Sequence, residues 1–276
     1  MALKMYRWGI MGVIILMAIG CSLGGNDGLA AASGGPLPVI TEDPSAPPAA
    51  DLGAPSAGVR IYREERYGSS LSDLNYYYTY LYSSAGLFVR EKHYDAAGNR
   101  IYLINYGYDS ANRLNYIGNF NGALVRQSYS NLYWYNGRLT YRFNYDATGS
   151  LTSFDIFSYN SSGKLTAKTH YSSSGSVVST TTYEYNTYGR LSRMRLDQSS
   201  GTYDYRYYYY SDGRLYAMTV VGPRVDYIYY YEYSSGTEVH GYVYNSTGTV
   251  EQNILYKYTS GDGNYDPLDP LSVFTL

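Results

Sequence analysis

Residues 157–191 read FSYNSSGKLTAKTHYSSSGSVVSTTTYEYNTYGRL, and this stretch contains the pattern that decides the fold. A pair of aromatic residues, two positions apart, is followed by Asn, by two further residues, by Gly163 or Gly189, and then by a basic residue and leucine. Asn and Asp cap turns through their side chains, and glycine accepts the left-handed conformation that such turns require. The pattern therefore predicts a β-strand, a turn and a second β-strand.

The same phrase recurs through most of the chain. Its other copies are YLYSSAGLF, HYDAAGNRI, YGYDSANRL, YWYNGRL, FNYDATGSL, YYYSDGRL, YEYSSGTEV and YVYNSTGTV. Asn112 stands where most copies have glycine, and asparagine is the next best residue for a left-handed position. The two shorter copies, around Asn136-Gly137 and Asp212-Gly213, predict tight two-residue hairpins. Every second turn lies 23 to 26 residues after the previous one, so one repeat unit is a β-hairpin.

This spacing predicts an all-β fold, an antiparallel meander of β-hairpin repeats with a period of about 26 residues. Strands of about 8 to 10 residues fit between the turns, which gives 15 or 16 strands. Open sheets seldom exceed ~10 strands without curling, so we expect a long curled single sheet, with partial closure as an open alternative. Side chains alternate with a period of two, which places Leu165, Tyr171 and Tyr183 on one face and Lys168 and His170 on the other.

The phrase resembles the YD repeat of Rhs proteins, wall-associated proteins and teneurins, over roughly residues 76 to 260. The resemblance implies a β-sheet strip that spirals into a hollow shell. Bacterial members of this family often enclose a toxin that follows a self-cleaving core segment. Only DPLDPLSVFTL follows Tyr265, so we expect the architecture to carry over and toxin packaging not to do so.

Composition excludes several classes of function. The chain has 276 residues, of which 40 are Tyr and 1 is Cys, and its net charge is −2. A nucleic-acid binder needs a concentrated basic stripe, which this charge balance argues against. A single cysteine also excludes disulfide frameworks and cysteine metal sites. We therefore expect a protein that is not an enzyme, has no cofactor and binds no nucleic acid.

The beginning of the chain is typical of an exported protein. Residues 1–20 combine a basic start with an apolar stretch that is shorter than a membrane span, which predicts a signal peptide. Ala18-Ile19-Gly20 before Cys21 resembles a bacterial lipoprotein lipobox, although Ala18 departs from the usual leucine. The resemblance implies that Cys21 is lipidated, and Ser22 implies sorting to the outer membrane. The alternative is an ordinary signal peptide.

Three further segments follow the predicted signal peptide. Residues 21–59 are rich in Gly, Ala, Pro and Ser and form a predicted tether, residues 60–263 form the Tyr-rich repeat domain, and residues 264–276 form a C-terminal tail. A membrane-spanning barrel is not expected, because a lipid-facing strand needs an uninterrupted apolar face. Charges interrupt both faces at Asp155, Lys168, Arg193 and Arg195.

Few residues suggest chemistry. His93 and His170 occupy the same position in their repeats and His240 a different one, and we expect three separate surface histidines without a metal. Glu64, Glu65 and Asp155 are carboxylates for which the sequence shows no partner. No metal site and no catalytic residue is predicted.

The tyrosines allow two interpretations, which are a structural role in the sheet and a binding face. The densest runs form the candidate contact surface, which consists of Tyr203, Tyr205, Tyr207, Tyr208, Tyr209, Tyr210, Tyr227, Tyr229, Tyr230 and Tyr231. The sequence predicts a lipid-anchored protein of the bacterial cell envelope with a structural or adhesive role. Its partners would be the membrane, through the anchor, and a glycan or a surface protein. The alternatives are a carbohydrate-binding module and an accessory or remnant of an Rhs-type toxin-shell system.

Overall fold

The computed structural model describes residues 61–258 apart from residues 84, 212–213, 224 and 234–237. The predicted signal peptide, Cys21, the tether and the C-terminal tail lie outside the described residues. No helix in the described part of the chain is long and apolar enough to cross a membrane.

The described residues form sixteen β-strands. They are β1 (Ile61–Tyr67), β2 (Leu74–Tyr82), β3 (Phe88–Asp95), β4 (Arg100–Tyr108), β5 (Leu114–Asn121), β6 (Arg126–Tyr135), β7 (Arg138–Asp146), β8 (Leu151–Tyr159), β9 (Leu165–Ser172), β10 (Val177–Tyr185), β11 (Leu191–Gln198), β12 (Gly201–Tyr209), β13 (Leu215–Gly222), β14 (Val225–Tyr233), β15 (Glu238–Asn245) and β16 (Val250–Tyr258).

Each strand pairs antiparallel with the next one in sequence, and β16 pairs with β1, so the sheet is a closed barrel. The predicted all-β meander and its number of strands are confirmed. At the seam between β1 and β16, Lys257 donates to a carboxylate oxygen of Glu65 at 3.0 Å and Arg66 donates to Gln252 at 3.2 Å. The side-chain amide of Asn253 donates to the Gly68 carbonyl oxygen at 2.9 Å. Closure is therefore complete, with side-chain bonds across the seam.

The turns follow the predicted chemistry. In the loop between β8 and β9, the side-chain oxygen of Asn160 accepts the backbone N–H of Lys164 at 2.9 Å, and the Gly163 N–H donates to the Asn160 carbonyl at 3.0 Å. Gly163 has a φ of 85°, and Asn112 takes the equivalent left-handed position with a φ of 59°. The Asp or Asn of the repeated phrase therefore closes a five-residue loop.

Two-residue turns are predicted for the two shorter copies of the phrase. Asn136 and Gly137 form the predicted two-residue turn, with φ values of 49° and 74°. The turn predicted at Asp212-Gly213 lies outside the described residues; beside it, the Tyr210 N–H donates to the Arg214 carbonyl at 2.8 Å, as the Asn160 N–H does to the Lys164 carbonyl at 2.9 Å.

The loop between β5 and β6 places a leucine in the left-handed region. Leu124 has a φ of 63°, although Gly122 lies two residues before it. A Cβ atom on Gly122 would lie 2.2 Å from the Arg100 carbonyl oxygen, so the glycine is required for close approach to the backbone of β4. Leu124 takes the fourth loop position, where most copies have glycine, and its N–H donates to the Asn121 carbonyl at 2.9 Å as Gly163 does to Asn160.

The predicted faces are wrong for Tyr171, Lys168 and His170, and a β-bulge is the reason. In the hairpin of β8 and β9, Tyr159 pairs with Leu165 but Ser158 pairs with Ala167, so one extra residue lies in β9. The side-chain alternation therefore shifts by one residue just after Leu165, and similar shifts occur beside most of the turns. Lys168 and His170 consequently face the interior, while Tyr171 faces outwards and stacks on Phe154.

The interior is filled by protein side chains. Sixteen strands are enough to leave a water-filled channel in porins. In this barrel the inward-facing Tyr231 and Arg66 are each 1% exposed and Asp155 is 0% exposed. These inward-facing charged side chains are thus as inaccessible to solvent as the aliphatic ones. No water-filled channel runs beside them in the described part of the barrel.

Aromatic residues tie each hairpin to the preceding one. Tyr159 donates its hydroxyl hydrogen to the Leu139 carbonyl at 2.8 Å, and Tyr185 donates to the Leu165 carbonyl at 2.9 Å. The same bond is made at 2.7–2.8 Å by four other pairs, Tyr108 with Phe88, Trp134 with Leu114, Tyr209 with Leu191 and Tyr233 with Leu215. We call these six bonds the carbonyl ladder. It gives the recurring tyrosine a structural role between repeats.

A basic residue accompanies most rungs of the ladder. In each case the residue just before the one whose carbonyl accepts the ladder bond is basic. Its cation lies over the aromatic ring that donates that bond, at 4.6–6.0 Å from the ring centroid. These residues are Arg113, Arg138, Lys164, Arg190 and Arg214. They all lie in or beside the loops that follow even-numbered strands, at one end of the barrel, and we call that end the basic rim.

Removing one rung should cost measurable stability. Replacing Tyr185 with phenylalanine leaves the Leu165 carbonyl without its donor, and we expect the free energy of unfolding to fall by about 1 kcal/mol. Urea denaturation followed by far-UV circular dichroism measures this change. Tyr188→Phe is the matched control, because Tyr188 is 83% exposed and should be neutral. Equal stabilities of the two variants would contradict a structural role for the ladder.

Candidate functional site

Two clusters of ionisable side chains lie inside the barrel. The first cluster, the Glu64 cluster, is built on β1 to β4 and contains Glu64, Arg66, Glu91 and His93. The second cluster, the Asp155 cluster, is built on β7 to β9 and contains Arg142, Asp155, Lys168 and His170. Within each cluster the residues share one face, because residues two apart on a strand and directly paired residues on neighbouring strands point the same way. Their burial shows that this is the inner face.

The central contact of the Glu64 cluster is a buried ion pair between Arg66 and Glu64. Arg66 donates through Nε to Glu64, and Tyr80 donates its hydroxyl hydrogen to the other carboxylate oxygen at 2.9 Å. Burial alone would lower the pKa of Arg66, but the Glu64 carboxylate outweighs it and the pKa lies well above its ordinary value. The carboxylate for which the sequence showed no partner is thus paired within its own strand.

Glu91 and His93 are held in their neutral forms. Burial, together with the nearby charge of Glu64, raises the pKa of Glu91 to about 8. Burial, together with the charge of Arg66, lowers the pKa of His93 to about 4. The imidazole of His93 is enclosed by tyrosine rings, stacked on Tyr78 at 4.5 Å and edge-on to Tyr102 at 4.6 Å. Among the described residues, neither of its nitrogens has a hydrogen-bond partner.

In the Asp155 cluster, one carboxylate accepts from two strands. Arg142 on β7 donates through Nε to Oδ2 of Asp155 at 2.6 Å, and Nδ1 of His170 on β9 lies 2.9 Å from Oδ1. Burial would raise the pKa of Asp155, but Arg142 and His170 hold it well below its ordinary range. Burial, together with Arg142, lowers the pKa of Lys168 to about 8. Asp155 is therefore a charged group fully paired inside the barrel.

The expectation of three surface histidines is wrong for two of them. His93 is 9% exposed and His170 is 6% exposed, and both face the interior. His240 is on the outer face, where it pairs across the sheet with Glu232. In the part of the chain that the structure describes, no group of three His, Cys, Asp or Glu side chains could hold a metal ion.

The two interior histidines should respond oppositely to the same substitution. His93→Phe keeps the stacking on Tyr78 and removes two buried nitrogens without partners, so we expect the free energy of unfolding to rise by about 1 kcal/mol. His170→Phe removes a bond to the buried carboxylate of Asp155 and should lower it by about 2 kcal/mol. Guanidinium denaturation of both variants measures the difference. A loss of similar size in both would contradict the contrast between these environments.

The Asp155 cluster contains an Asp–His pair. An Asp–His pair orients a base in hydrolytic enzymes, where a nucleophile bonds to the second imidazole nitrogen. Among the described residues, no hydroxyl is hydrogen-bonded to Nε2 of His170. The neighbouring polar residues continue the network within the wall, since Ser130 donates to Asn144 at 2.7 Å and Asn144 donates to Ser153 at 3.0 Å.

The tyrosines of the predicted contact surface are divided between the two faces of the wall. Six of them face the interior, and these are Tyr203, Tyr205, Tyr207, Tyr227, Tyr229 and Tyr231. Tyr209 is a rung of the carbonyl ladder. Tyr208 and Tyr230 face outwards and Tyr210 lies in a rim loop, with 38%, 42% and 42% exposure respectively. These last three are accessible to a partner.

A more continuous aromatic surface lies on the outer face of β5 to β9. One line of stacked rings joins Tyr116, Tyr129 and Tyr145, and another joins Phe143, Phe154 and Tyr171. Tyr133 and Tyr141 lie beside the second line and are 40% and 42% exposed. We call these eight residues the outer aromatic surface. Sequence density did not reveal it because its rings are spread over five strands, with at most three on any one strand.

The carbonyl ladder and the closed register define the class of this protein, a closed antiparallel β-barrel assembled from hairpin repeats. No family model matches the sequence and no curated protein matches it. The assignment to the YD repeats therefore stays a prediction from the sequence.

Among solved structures, the chain is similar to a porin-like protein from Bacteroides uniformis ATCC 8492, with 16% identity and a TM-score of 0.51, over 72% of this chain and 96% of that one. It also matches the TcdB2-TccC3 structure without its hypervariable C-terminal region, with 16% identity and a TM-score of 0.30, over 66% of this chain and 10% of that one. The first of these similarities shows the barrel fold alone.

Proposed function

We propose that this protein is a non-catalytic, lipid-anchored component of the bacterial cell envelope, in which the barrel is a rigid scaffold that presents its outer surface to a partner. The carbonyl ladder is the observation that carries the proposal. It uses the most regular tyrosine of the repeat to join neighbouring hairpins. The periodic part of the sequence is thereby accounted for by architecture, and the residues left for function are those on the outside.

The interior clusters support a non-catalytic role. Asp155 is 0% exposed and Glu64 is 2% exposed, so a substrate could not reach either carboxylate without opening the wall. Their bonds end on other side chains of the same clusters. In the Asp155 cluster both carboxylate oxygens are bonded, and a satisfied network of this kind fixes the packing of a core.

The outer face supports a barrel that stands outside the lipid core. Asp155 and Lys168, two of the four charges that predicted a barrel outside the membrane, face the interior, where a membrane barrel also accepts charge. Arg193 and Arg195 do lie on the outer face, and Arg193 pairs with Asp204 at 2.8 Å in the middle of the strands. A lipid-facing wall is destabilised by such charges near its midplane.

The outer aromatic surface is the contact site that we propose for a glycan or a surface protein. It combines stacked rings with partly exposed tyrosines on a single stretch of wall. Aromatic side chains supply large contact areas with few rotatable bonds, and exposed clusters of them mark interaction sites.

Substituting Cys21 tests the anchor. A Cys21→Ser chain expressed in a bacterial host should no longer incorporate labelled fatty acid and should leave the membrane fraction, whereas Ser22→Ala should remain there. Fractionation after ultracentrifugation measures both. A Cys21→Ser chain that is still acylated and sediments with membranes would overturn the anchor.

The contact surface has a separate test. Glycan arrays and pull-downs from envelope extracts, performed with the unsubstituted chain, should show binding that Tyr133→Ser and Tyr141→Ser together abolish. Tyr208→Ser together with Tyr230→Ser, which removes similarly exposed rings elsewhere on the barrel, is the matched control. Equal loss in both double variants would overturn the assignment of this surface.

A further inference from the structure

The basic rim is chemically distinct from the rest of the barrel. Its cations recur once per hairpin, so neighbouring ones are two strands apart, or roughly 10 Å. Arg113 pairs with Asp109 at 2.7 Å. Arg138, Lys164 and Arg190 form no ion pair with any described residue, and they extend over the rings of the carbonyl ladder.

Exposed aromatic rings lie among these cations. Tyr135 is 71% exposed and Tyr188 is 83% exposed, and both lie within three residues of a rim cation. Tyrosine is enriched at membrane–water interfaces because its ring is apolar and its hydroxyl is polar. A row of cations with interspersed tyrosines is the composition of a surface that rests on lipid headgroups.

The described part of the opposite rim has a different composition. It includes the carboxylates of Asp95 and Asp146, and two of its arginines donate to backbone carbonyls, although Arg126 also lies over the Tyr129 ring at 4.8 Å. Arg100 donates to the Gly122 carbonyl at 3.0 Å, and Arg126 donates to the Ala147 carbonyl at 3.3 Å. Arginines at the opposite rim are thus bonded to the backbone, whereas the guanidinium groups of Arg138 and Arg190 at the basic rim contact only aromatic rings among the described contacts.

The chain enters and leaves the barrel at the basic rim. Ile61 begins β1 and pairs with Tyr258 at the end of β16. Both residues lie at the end of the barrel where the loops after even-numbered strands lie, because β1 and β2 are antiparallel and Tyr82 ends β2 there. The segment that leads from Cys21 therefore joins the barrel at its basic end.

We propose that the basic rim is the membrane-facing surface of the barrel, which rests on the anionic lipid headgroups of the membrane that holds the anchor. This inference rests on the proposed function, since the anchor brings that membrane within reach. Each cation near an anionic surface contributes about 1 kcal/mol, or about a fivefold change in partitioning. The acyl chains then retain the protein and the rim orients it.

The test uses the processed chain from residue 21 onwards with Cys21→Ser, so that binding through the rim is measured without acyl chains. Co-sedimentation with vesicles of phosphatidylcholine containing phosphatidylglycerol should show binding that salt reverses, and pure phosphatidylcholine should show little. Arg138→Gln together with Arg190→Gln should weaken binding about 30-fold. Arg100→Gln together with Arg126→Gln removes the same charge from the opposite rim and should change it little. Thermal unfolding confirms that both variants are folded.

Four outcomes would overturn the proposal. The first is equal weakening in the two double variants, which would indicate an effect of net charge alone. The second is no binding to anionic vesicles at low salt. The third is binding to an acidic polysaccharide or to DNA but not to vesicles. The fourth is binding only after removal of residues 259–276, which contain Asp262, Asp266 and Asp269 and would then be the occupant of the rim. The two proposals can fail separately. If Cys21→Ser stays acylated and membrane-bound but the rim still binds anionic vesicles, the anchor is overturned and the membrane-facing rim is not.

Discussion

Replacing Arg142 with methionine should lower the free energy of unfolding by about 3 to 5 kcal/mol. The substitution leaves Asp155, which is 0% exposed, without the guanidinium that donates to it at 2.6 Å. A buried carboxylate that loses its cation keeps the full cost of its dehydration. Guanidinium denaturation at neutral pH measures the loss, which would be a large part of the stability of an ordinary domain.

A matched substitution separates this effect from the loss of an arginine in general. Arg193→Met removes an arginine that also pairs with an aspartate, but on the outer face in contact with water. It should leave the stability nearly unchanged, because water screens exposed pairs. Asp155→Asn in the Arg142→Met background should recover part of the loss. A small effect of Arg142→Met, similar to that of Arg193→Met, would contradict a desolvated pair.

The stability of the protein should fall as the pH rises from 6.5 to 8, and Glu91→Gln should remove this dependence. Glu91 has a folded pKa of about 8 and an ordinary value of 4.5. The folded state therefore holds a proton that the unfolded state has released, and the stabilisation that is complete below pH 4.5 is lost as the pH approaches 8. The slope that corresponds to one proton is about 1.4 kcal/mol per pH unit.

The pH interval matters because other groups titrate with the opposite sign. The pKa of His93 is lowered from 6.5 to about 4, so its contribution to stability is lost as the pH falls through that range. The pKa of Lys168 is lowered from 10.5 to about 8, and its contribution changes above pH 8. Between pH 6.5 and 8 the difference between the wild type and Glu91→Gln isolates the carboxyl group.

Urea denaturation at several pH values in this interval provides the measurement. The stability of Glu91→Gln relative to the wild type should increase by about 1 to 2 kcal/mol across the interval. Glu184→Gln, which neutralises a glutamate with 60% side-chain exposure, is the control and should run parallel to the wild type. Parallel behaviour of Glu91→Gln would show that Glu91 is ionised in the folded protein.

The local part of the fold follows from the sequence. Asp or Asn at the first loop position and glycine at the fourth are chemical requirements of one turn, so the phrase around Asn160 and Gly163 predicts a hairpin wherever it recurs. The even spacing of these hairpins predicts a meander. Both are decided within a few residues, and both are confirmed by the structure.

The two faces of the sheet could not be predicted by counting residues. A bulge adds one residue to β9 beside the loop, and its presence depends on how Tyr159 pairs with Leu165 across the strands. An error of one residue exchanges inside and outside for the rest of the strand. Because of this error, the prediction placed Tyr171 on the same face as Leu165 and placed Lys168 and His170 on the opposite face.

The interior pairs were missed for a related reason. Asp155 is 13 residues from Arg142 and 15 from His170, and these distances correspond to adjacent strands only when the register is known. The sequence did contain a signal for these pairs. In a meander, residues on adjacent strands at about the same distance from the turn that joins them lie beside each other, as Asp155 and His170 do. The carbonyl ladder has no counterpart in the prediction, since its bonds cross between hairpins. Trp134 lies five residues before Leu139, whereas Tyr159 and Tyr185 lie six before their leucines, because a two-residue turn follows Trp134.

The seam between β16 and β1 changes what kind of repeat protein this is. Linear repeat arrays expose an unpaired unit at each end and need special capping repeats to remain soluble. Here the last strand pairs with the first along its length, with Lys257 on Glu65 and Asn253 on Gly68. Within residues 61–258, every repeat therefore has two neighbours and the sheet has no free edge for another chain to join. A ring of this kind is limited to one number of repeats, so a duplicated hairpin would have to reopen the seam before it could be accommodated.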